Sequence, residues 1–411
     1  MSVFFDSREA RSFEKRTEDN LRALSNQISI AKQTVPYYRE AFAQIDTDQI
    51  KSLSDLTKLD VLRKSDLMSI QAENSPFGDL NPLNKKFDYV FQSPGPIYEP
   101  GSKGKDWWRI ARFLYALGIG KNDILQNCFS YHFTPAGAML ESGALALGAS
   151  VFPAGTGNTE QQAMAAAAFG TTAYCGTPEY LLTVLKKASE LELDLSKLTK
   201  AAVSGGPLFP NVRAEYQERG IKCLQAYATA ELGLIAYETE ADEPMIVDEG
   251  VIVEVVTPGT GNPVKPGVIG EVLVTLLGSD FPLFRFATGD LSMIVPGESA
   301  CGRTNTRIAG WRGRADQAAK VRGMFVRPEQ VAKFQSKHPE VLKVRIVINL
   351  RNSTDVMTTK LEISSESRHS HDYYFNSIKD SLKLKTELEI LDPETLPNDG
   401  LVIEDLRPSV S

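Results

Sequence analysis

ASVFPAGTGNTEQQAMAAAAFGTTAYCG, residues 149–176, decides the fold. A short apolar run, ASVFPAG (149–155), gives way to the alanine-rich EQQAMAAAAFG (160–170) and then to a second apolar run, TTAYCG (171–176). Alanine and glutamine favour helix, whereas short runs carrying Val, Phe, Tyr and Thr suit buried strands, so the stretch predicts strand, helix, strand. Working outward, FDYVFQ (87–92), AAVSGG (201–206) and IKCLQAY (221–227) are further strand candidates, and DWWRIARFLYALG (106–118) reads as helix. Strands alternating with helices imply a largely parallel sheet covered on both faces.

The flanks read differently. Residues 8–45 are mostly helical, with Leu21, Leu24, Ile28 and Ala31 at helical spacing until Val35-Pro36 breaks the pattern. A second helical region, Leu53 to Ile70, ends in the turn-rich AENSPFGDLNP (72–82). After residue 245 the chain becomes antiparallel: GVIVEVVTPGTGNPVKPGVIGEVLVTLL (250–277) has two valine-rich runs joined by a Gly/Pro turn. From Val326, PEQVAKFQSKHPEVLKVRIVINL, TTKLEIS, HDYYFNSIKDSLK and TELEILD alternate helix and strand, and glycines and charges in GWRGRADQ (310–317) mark the boundary before them. The expectation is an α/β protein. A large N-terminal domain, 1–312, begins with a helical lead-in (1–80), carries mixed and parallel sheets layered by helices, and includes a small antiparallel β subdomain. A small α+β C-terminal cap domain follows at 313–411.

The 411 residues hold 45 Lys plus Arg and 52 Asp plus Glu, a net charge of −7, with 42% hydrophobic and 24% charged residues. This composition excludes wholesale disorder. The acidic balance argues against nucleic acid or an anionic membrane as the main partner, since both reward basic patches, but leaves room for an anionic small molecule held by local donors. Cys128, Cys175, Cys223 and Cys301 form no CxxC pair, a usage that fits a reducing compartment. The N-terminal MSVFFDSREARSFEKR turns charged too early for a signal peptide, and no apolar stretch is long enough to span a membrane, so the expected location is the cytoplasm.

The sharpest segment is FPLFRFATGDL (281–291). A carboxylate in the turn Thr288-Gly289-Asp290 can accept two hydrogen bonds from a ribose diol, although an isolated TGD is also an ordinary hairpin turn. Downstream comes GRADQAAKVRGMFVRPEQV (313–331), and upstream AYATAELG (226–233). These segments, in this order, resemble the acyl-adenylate-forming (AMP-binding) superfamily, most closely its phenylacetate–CoA ligase branch. The resemblance extends through VPYYRE (35–40), DLTKLDVLRKSDL (55–67), NDILQNCFSYHFTPAG (122–137), LGASVFPAGTGNTEQQ (147–162), YCGTPEYL (174–181), VSGGP (203–207) and CGRTNTRI (301–308).

The resemblance implies roles at the matched positions. In YATAE (227–231), Tyr227 would stack on adenine and Glu231 would hold Mg²⁺; Ala228 and Ala230 replace the family's glycine and hydroxyl residue, and Thr229 carries a hydroxyl beside them. Ser204, Gly205, Gly206 and Pro207 match the loop between adenine and acyl pocket. Asp290 matches the ribose-binding Asp, with Arg307 on the following strand. Arg314 and Asp316 match the hinge about which the mobile cap rotates between half-reactions, and Gly323 the glycine of the pantetheine tunnel. Tyr131, His132 and Phe133 align with the aromatic segment that borders the acyl pocket, suiting a flat aromatic acid; for His132, a satisfied core histidine is equally open. The implied catalytic set is Glu231, Arg314 and Asp316. The implied partners are a small carboxylic acid, ATP or AMP with Mg²⁺, and CoA or a carrier-protein thiol; relatives are often homodimers.

Three departures bear on mechanism. The family's phosphate loop, Ser-Ser-Gly-Thr-Thr-Gly-Lys-Pro, becomes QSPGPIYEP (92–100), which keeps Ser93, Gly95 and Pro100 but puts Tyr98 at the second glycine and Glu99 at the lysine. LPNDGLVIEDLR (396–407) puts Leu401 where the family has its C-terminal catalytic lysine. Of the cysteines and histidine that form a zinc cluster in several relatives only Cys301 remains, with Ser299 at its partner position, so no zinc is expected. Two readings stay open: an AMP-forming ligase for an aromatic or other acyl acid, and a degenerate adenylate-binding relative with impaired ATP activation. The latter would transfer an acyl group from a preformed adenylate or act only as a binding protein.

Overall fold

The computed structural model describes residues 3–46, 49–94, 96–104, 106–206, 208–315, 319–321, 324–351, 354–364, 369–397 and 401–407. Its contacts divide the chain into two compact units: Met1–Val253, Val274–Phe286 and Val295–Trp311 in one, and Glu254–Leu273, Ala287–Ile294 and Arg312–Ser411 in the other.

In the first unit, α1 (Phe13–Thr34) starts at Ser12, whose hydroxyl oxygen accepts the Lys15 N–H, and buries Leu24, Ile28 and Ala31 as their spacing predicts. Pro36 opens α2 (Pro36–Ala41), so the lead-in helix ends a few residues before the expected 45. The second helical region resolves into a 3₁₀ stretch, Leu53–Lys58, and α3 (Lys64–Glu73). A tight antiparallel hairpin follows, β1 (Tyr89–Ser93) and β2 (Ile97–Gly101), with Phe91 opposite Glu99 and Ser93 opposite Ile97.

The alternation then appears as predicted: α4 (Ala111–Ala116), β3 (Ile124–Asn127), α5 (Ala136–Ala146), β4 (Ser150–Phe152), α6 (Thr159–Phe169), β5 (Ala173–Gly176), α7 (Pro178–Glu190), β6 (Lys200–Val203), α8 (Pro210–Glu218) and β7 (Lys222–Thr229). The strands pair in parallel in the order β4-β3-β5-β6-β7. Then β8 (Gly233–Tyr237) joins β7 antiparallel, and β9 (Met245–Val247) joins β8. β3 was absent from the strand candidates because ILQN carries two amides; both Gln126 and Asn127 are fully buried. DWWRIARFLYALG is helical only from Ala111, because Asp106 and Arg109 take left-handed φ of 51° and 65° in the preceding turn.

Alternate residues of the parallel strands feed two cores, as period-two side chains must. Ala173, Cys175 and Ala202 pack with Phe113, Leu125, Phe129 and Leu140. Tyr174, Ala201 and Val203 pack with Leu181, Val212 and Tyr216. This is the α/β fold with both faces covered that the sequence predicts.

The lead-in is tied to this sheet by buried charge. Glu9, 1% exposed, forms ion pairs with Arg112 (2.9 Å) and Arg303 (3.0 Å) and accepts the Tyr237 hydroxyl (3.0 Å). Arg112 and Arg109 meet Asp248, and Arg11 and Arg16 meet Glu249, all within 3.3 Å.

The strands β10 (Val251–Val256), β11 (Ile269–Leu276) and β12 (Phe286–Val295) are neighbours in that order, and the second unit takes the last residues of β10, the first of β11 and the central ones of β12. The remainder comprises a small ribbon, β13 (Ala319–Val321) with β14 (Met324–Val326), then α9 (Pro328–Gln335), β15 (Val341–Arg351), β16 (Thr354–Ile363), α10 (His371–Leu382), β17 (Glu387–Leu391) and β18 (Ile403–Asp405). The four last strands form one sheet, β17-β16-β15-β18, antiparallel at its centre and parallel at both edges. Val331, Phe334, Ile346, Leu361, Tyr374 and Ile378 fill its core, giving the small α+β architecture expected here. Among the described residues no helix is long and apolar enough to cross a membrane.

Glu9→Ala would leave two buried guanidinium groups without their shared carboxylate. Removing one partner of such a network typically costs about 3–5 kcal/mol, so a clear fall in the urea midpoint of the first unit is expected, and an unchanged midpoint would show that the network is not holding the lead-in.

Candidate active site

The end of β6 delivers Ser204, Gly205 and Gly206 to a fixed position. The Ser204 N–H donates to the Gly176 carbonyl (3.2 Å) and its hydroxyl to the Ala226 carbonyl (2.9 Å), while Gln225 Nε2 donates to the Gly206 carbonyl (3.0 Å). Gly205 takes a φ of 73°, open to glycine and costly for a residue with Cβ. The loop is thus stitched to β5 and β7.

Beside it lies a cavity of about 120 Å³, walled by Phe113, Phe129, Met139 and Leu140 and closed by Gly205 and Ala228. Thr134, Ser204 and Thr229 bring hydroxyls to it, and none of the described residues that line it is charged. The wall takes residues on either side of the predicted aromatic segment rather than the segment itself. Tyr131 is half-buried, with its hydroxyl accepting from Asn127 Nδ2 (2.8 Å); burial and the Glu141 carboxylate raise its pKa. His132 and Phe133 are exposed, so His132 is not the core histidine that one alternative allowed, and Phe133 has a left-handed φ of 63°. Sequence reasoning missed Phe113, which lies in a stretch read only as helix, and Met139 and Leu140, which no motif singled out.

YATAE straddles the end of β7. Tyr227 is buried at 8% exposure on the strand, and the Thr229 hydroxyl accepts the Leu232 N–H (3.3 Å). Glu231 is buried, and Lys64, the first residue of α3, places Nζ 2.8 Å from its Oε1. Nothing in the sequence spacing announces this ion pair. Beyond it, neither oxygen of Glu231 meets a hydrogen-bond donor. A carboxylate with open lone pairs is a suitable Mg²⁺ ligand, so the residue fits the role its motif implies.

Glu99 completes the cluster. On β2 it is 1% exposed, and neither carboxylate oxygen reaches a donor at hydrogen-bond geometry. Burial first, then the charge of Glu231, push its pKa up to about 7; the Ser93 hydroxyl and N–H and the Lys64 ammonium pull the other way without prevailing. The residue standing at the family's lysine therefore points inward, toward Glu231, not out to water.

In the second unit, Asp290 sits on β12 with Arg314 bridged to it: Arg314 Nη1 donates to Asp290 Oδ1 at 2.9 Å, and the Asp290 N–H donates to the Thr288 hydroxyl at 3.1 Å. A Cβ on Gly289, whose φ is 74°, would stand 2.7 Å from the Arg314 guanidinium, so the glycine makes room for the bridge. The residues expected to bind ribose and to begin the hinge, Asp290 and Arg314, are thus brought together. Leu401 lines a cavity of about 180 Å³ whose wall mixes Val264, Val331 and Val344 with Gln335 and Lys343. In the first unit, Arg307 Nη2 donates to the Pro296 carbonyl (2.6 Å). Burial raises the Cys301 thiol, but hydrogen bonds with Ser299, Thr239 and Arg303 outweigh it and hold the pKa below the usual value. Pro207, Asp316 and Gly323 lie outside the described residues, as does Gly95.

Residues 108–276 match the family described as AMP-binding enzyme. The chain is 30% identical over 377 residues to a phenylacetate-coenzyme A ligase of Aromatoleum evansii, covering 86% of this chain and 84% of that one. It is 29% identical to the phenylacetate-coenzyme A ligase of Escherichia coli K12, over 86% and 85% of the two chains. Among solved structures, 2-hydroxyisobutyryl-CoA ligase with its acyl-AMP superposes at a TM-score of 0.73, with 23% identity, over 98% of this chain and 92% of that one, which bears on the fold alone.

The electrostatics of Glu99 predict a pH dependence. A carboxyl whose folded-state pKa is raised from 4.5 to about 7 stabilises the protein most when protonated, and that contribution is lost as pH rises from about 4.5 through 7. Glu99→Gln should be more stable than the parent at pH 8 by up to roughly 3 kcal/mol, with the gap closing toward pH 4, in denaturant melts containing EDTA. Parallel pH–stability curves would contradict the burial argument.

Proposed function

We propose that this chain, which belongs to the AMP-binding enzyme family in its phenylacetate–CoA ligase branch, is an AMP-forming ligase that joins an aromatic carboxylic acid to the thiol of CoA. In the first half-reaction a carboxylate oxygen attacks the α-phosphorus of ATP and pyrophosphate leaves. In the second the thiol sulfur attacks the acyl carbon and AMP leaves. Mg²⁺ held by Glu231 would neutralise phosphate charge when bound. The observation that carries the aromatic assignment is the apolar cavity beside Ser204 and Gly205, which Phe113, Phe129, Met139 and Leu140 wall without any charged group.

Under this reading Tyr227 and the Ser204–Pro207 loop take the adenine side, Thr229 lies where cavity and adenylate segment meet, and Asp290 accepts the ribose hydroxyls. Arg307 follows on the next strand. Arg314 and Asp316 form the hinge of a mobile C-terminal cap, and Gly323 lines the pantetheine path. The Arg314–Asp290 bridge supports a coupling of hinge to ribose site, since Arg314 is the charge that Asp290 exchanges for a diol.

A second reading has an observation of its own. Glu99 is buried toward Glu231, where a polyphosphate would meet like charge, and Leu401 replaces the lysine that would stabilise the adenylation transition state. Both changes weigh on the first half-reaction and spare the second. The chain would then release acyl groups from a supplied adenylate more readily than it makes one, or hold the adenylate without turning it over.

Pyrophosphate exchange with a panel of aromatic acids separates the two. Acid-dependent exchange that Asp290→Ala lowers by about a hundredfold, the worth of two charge-assisted hydrogen bonds, supports the ligase. Turnover of a synthetic aroyl-adenylate with CoA, without exchange, selects the second reading. In either case Ala136→Leu, which narrows the cavity, should shift preference toward smaller acids by about 10- to 200-fold in kcat/KM, whereas an unchanged preference would remove the cavity from the acyl assignment.

A further inference from the structure

The turn between α9 and β15 carries His338 and Glu340, and their side chains make contacts on α10. Backbone bonds fix the turn: the His338 N–H donates to the Gln335 carbonyl (3.0 Å), and the Val341 N–H to the His338 carbonyl (2.9 Å). The His338 ring is packed among Phe334, 4.6 Å away between centroids, and Tyr373 and Tyr374, at 5.3 and 5.7 Å. Both of its nitrogens are engaged. Nδ1 lies 3.3 Å from Glu340 Oε1, and Nε2 lies 2.6 Å from the Ser377 hydroxyl on α10. Burial raises the Glu340 carboxyl, but its own backbone N–H, the Tyr374 hydroxyl (3.1 Å) and His338 hold it below the usual carboxylate value. His369, just before α10, brings Nε2 to 3.9 Å from the same oxygen. An ionised carboxylate only accepts, so in the neutral His338 ring Nδ1 carries the proton and Nε2 keeps its lone pair for the Ser377 O–H.

We infer that Ser377, His338 and Glu340 form a nucleophilic site in the second unit, at which the Ser377 hydroxyl takes an acyl group from an activated ester. A serine within hydrogen-bond reach of a base, itself oriented by a third group, is the arrangement that activates a hydroxyl, and geometry identifies it on any fold. Ser377 Oγ attacks the ester carbonyl carbon, and its proton passes to His338 Nε2. The bond from that carbon to the leaving oxygen then breaks, the proton goes to the leaving alcohol, and an acyl-serine remains. Ser377 is half-exposed, whereas the His338 and Glu340 side chains are 4% and 10% exposed, so the hydroxyl is the member of the trio open to a reagent. The site stops short of a hydrolase. Ser377 lies in the middle of α10, where backbone N–H groups are engaged in the helix's own hydrogen bonds and are not free to hold an oxyanion. One acylation per chain, without turnover, is the expected behaviour. The inference goes beyond the ligase reading and shares no residue with it, since the reaction needs neither nucleotide nor CoA.

The test incubates the full-length chain with p-nitrophenyl acetate alone and follows acetylated peptides over time by mass spectrometry. Ser377 should gain one acetyl group, and faster than Ser370, the more exposed serine that caps the same helix by accepting the Tyr373 N–H (3.3 Å) and has no imidazole at its hydroxyl. His338→Gln should slow the acetylation of Ser377 by about 10²- to 10⁴-fold, the usual contribution of a positioned general base. Glu340 acts through the ring as a positioning residue. Glu340→Gln should therefore shift the pH midpoint of the Ser377 rate downward, because an adjacent carboxylate favours the imidazolium form. A lowered midpoint is a change that misfolding would not mimic, and the Ser370 comparison in the parent needs no variant at all. Acetylation of Ser377 no faster than that of Ser370, a rate unchanged in His338→Gln, or a pH midpoint unchanged in Glu340→Gln would overturn the inference and leave the trio as a tie between turn and helix.

Discussion

The burial of Glu99 beside Glu231, with the Lys64 ammonium drawn onto the latter, is the constraint that the chemistry of this site works around. Two carboxylates cannot both stay ionised in a dry site without a partner for each, and one ammonium serves only one of them. Three outcomes are physically open to such a cluster: a shared proton, a bound cation, or exclusion of further negative charge. Each alters how a polyphosphate would be received, and none touches the neutral cavity next door. The separation explains why substrate recognition and ATP activation are to be tested apart in this chain.

The scaffold that places these groups is set by backbone and burial rather than by the site itself. The cluster depends on a tight hairpin whose register puts Glu99 opposite Phe91, and on α3 beginning at Lys64. The cavity depends on β5, β6 and β7 lying parallel, so that the Ser204 loop can be hydrogen-bonded to both neighbours. The lead-in is no appendage, since Glu9, Arg11 and Arg16 bury their charges against Arg112, Arg303 and Glu249.

Most of this architecture was legible in the sequence where hydrophobic pattern alone decides it. ASVFPAG and TTAYCG became strands, EQQAMAAAAFG became helix, and the valine-rich runs after residue 250 became neighbouring strands. β3 was hidden because Gln126 and Asn127 are polar yet fully buried, Gln126 donating to the Gln162 side chain and Asn127 to the Tyr131 hydroxyl and the Gly137 carbonyl. At the site, motif spacing pointed to Ser204, Tyr227, Glu231 and Asp290, but not to Lys64, whose contact with Glu231 is made only by the fold. The exposure of His132 and Phe133 was equally hidden, because a left-handed turn at Phe133 directs that segment outward while Phe129 and Pro135 stay in the wall. Glu99 showed its identity in the sequence; its inward direction and its unpartnered oxygens required the hairpin register.

The central claim is that the neutral cavity beside Ser204 and Gly205 receives the acyl part of an adenylate held by this chain. A crystal structure with a non-hydrolysable aroyl-sulfamoyl adenosine tests it most directly. The account predicts the aromatic ring between Phe129 and Leu140, adenine against Tyr227 and the ribose diol on Asp290. An aromatic ring outside that cavity, or an adenosine placed away from Tyr227 and Asp290, would contradict it.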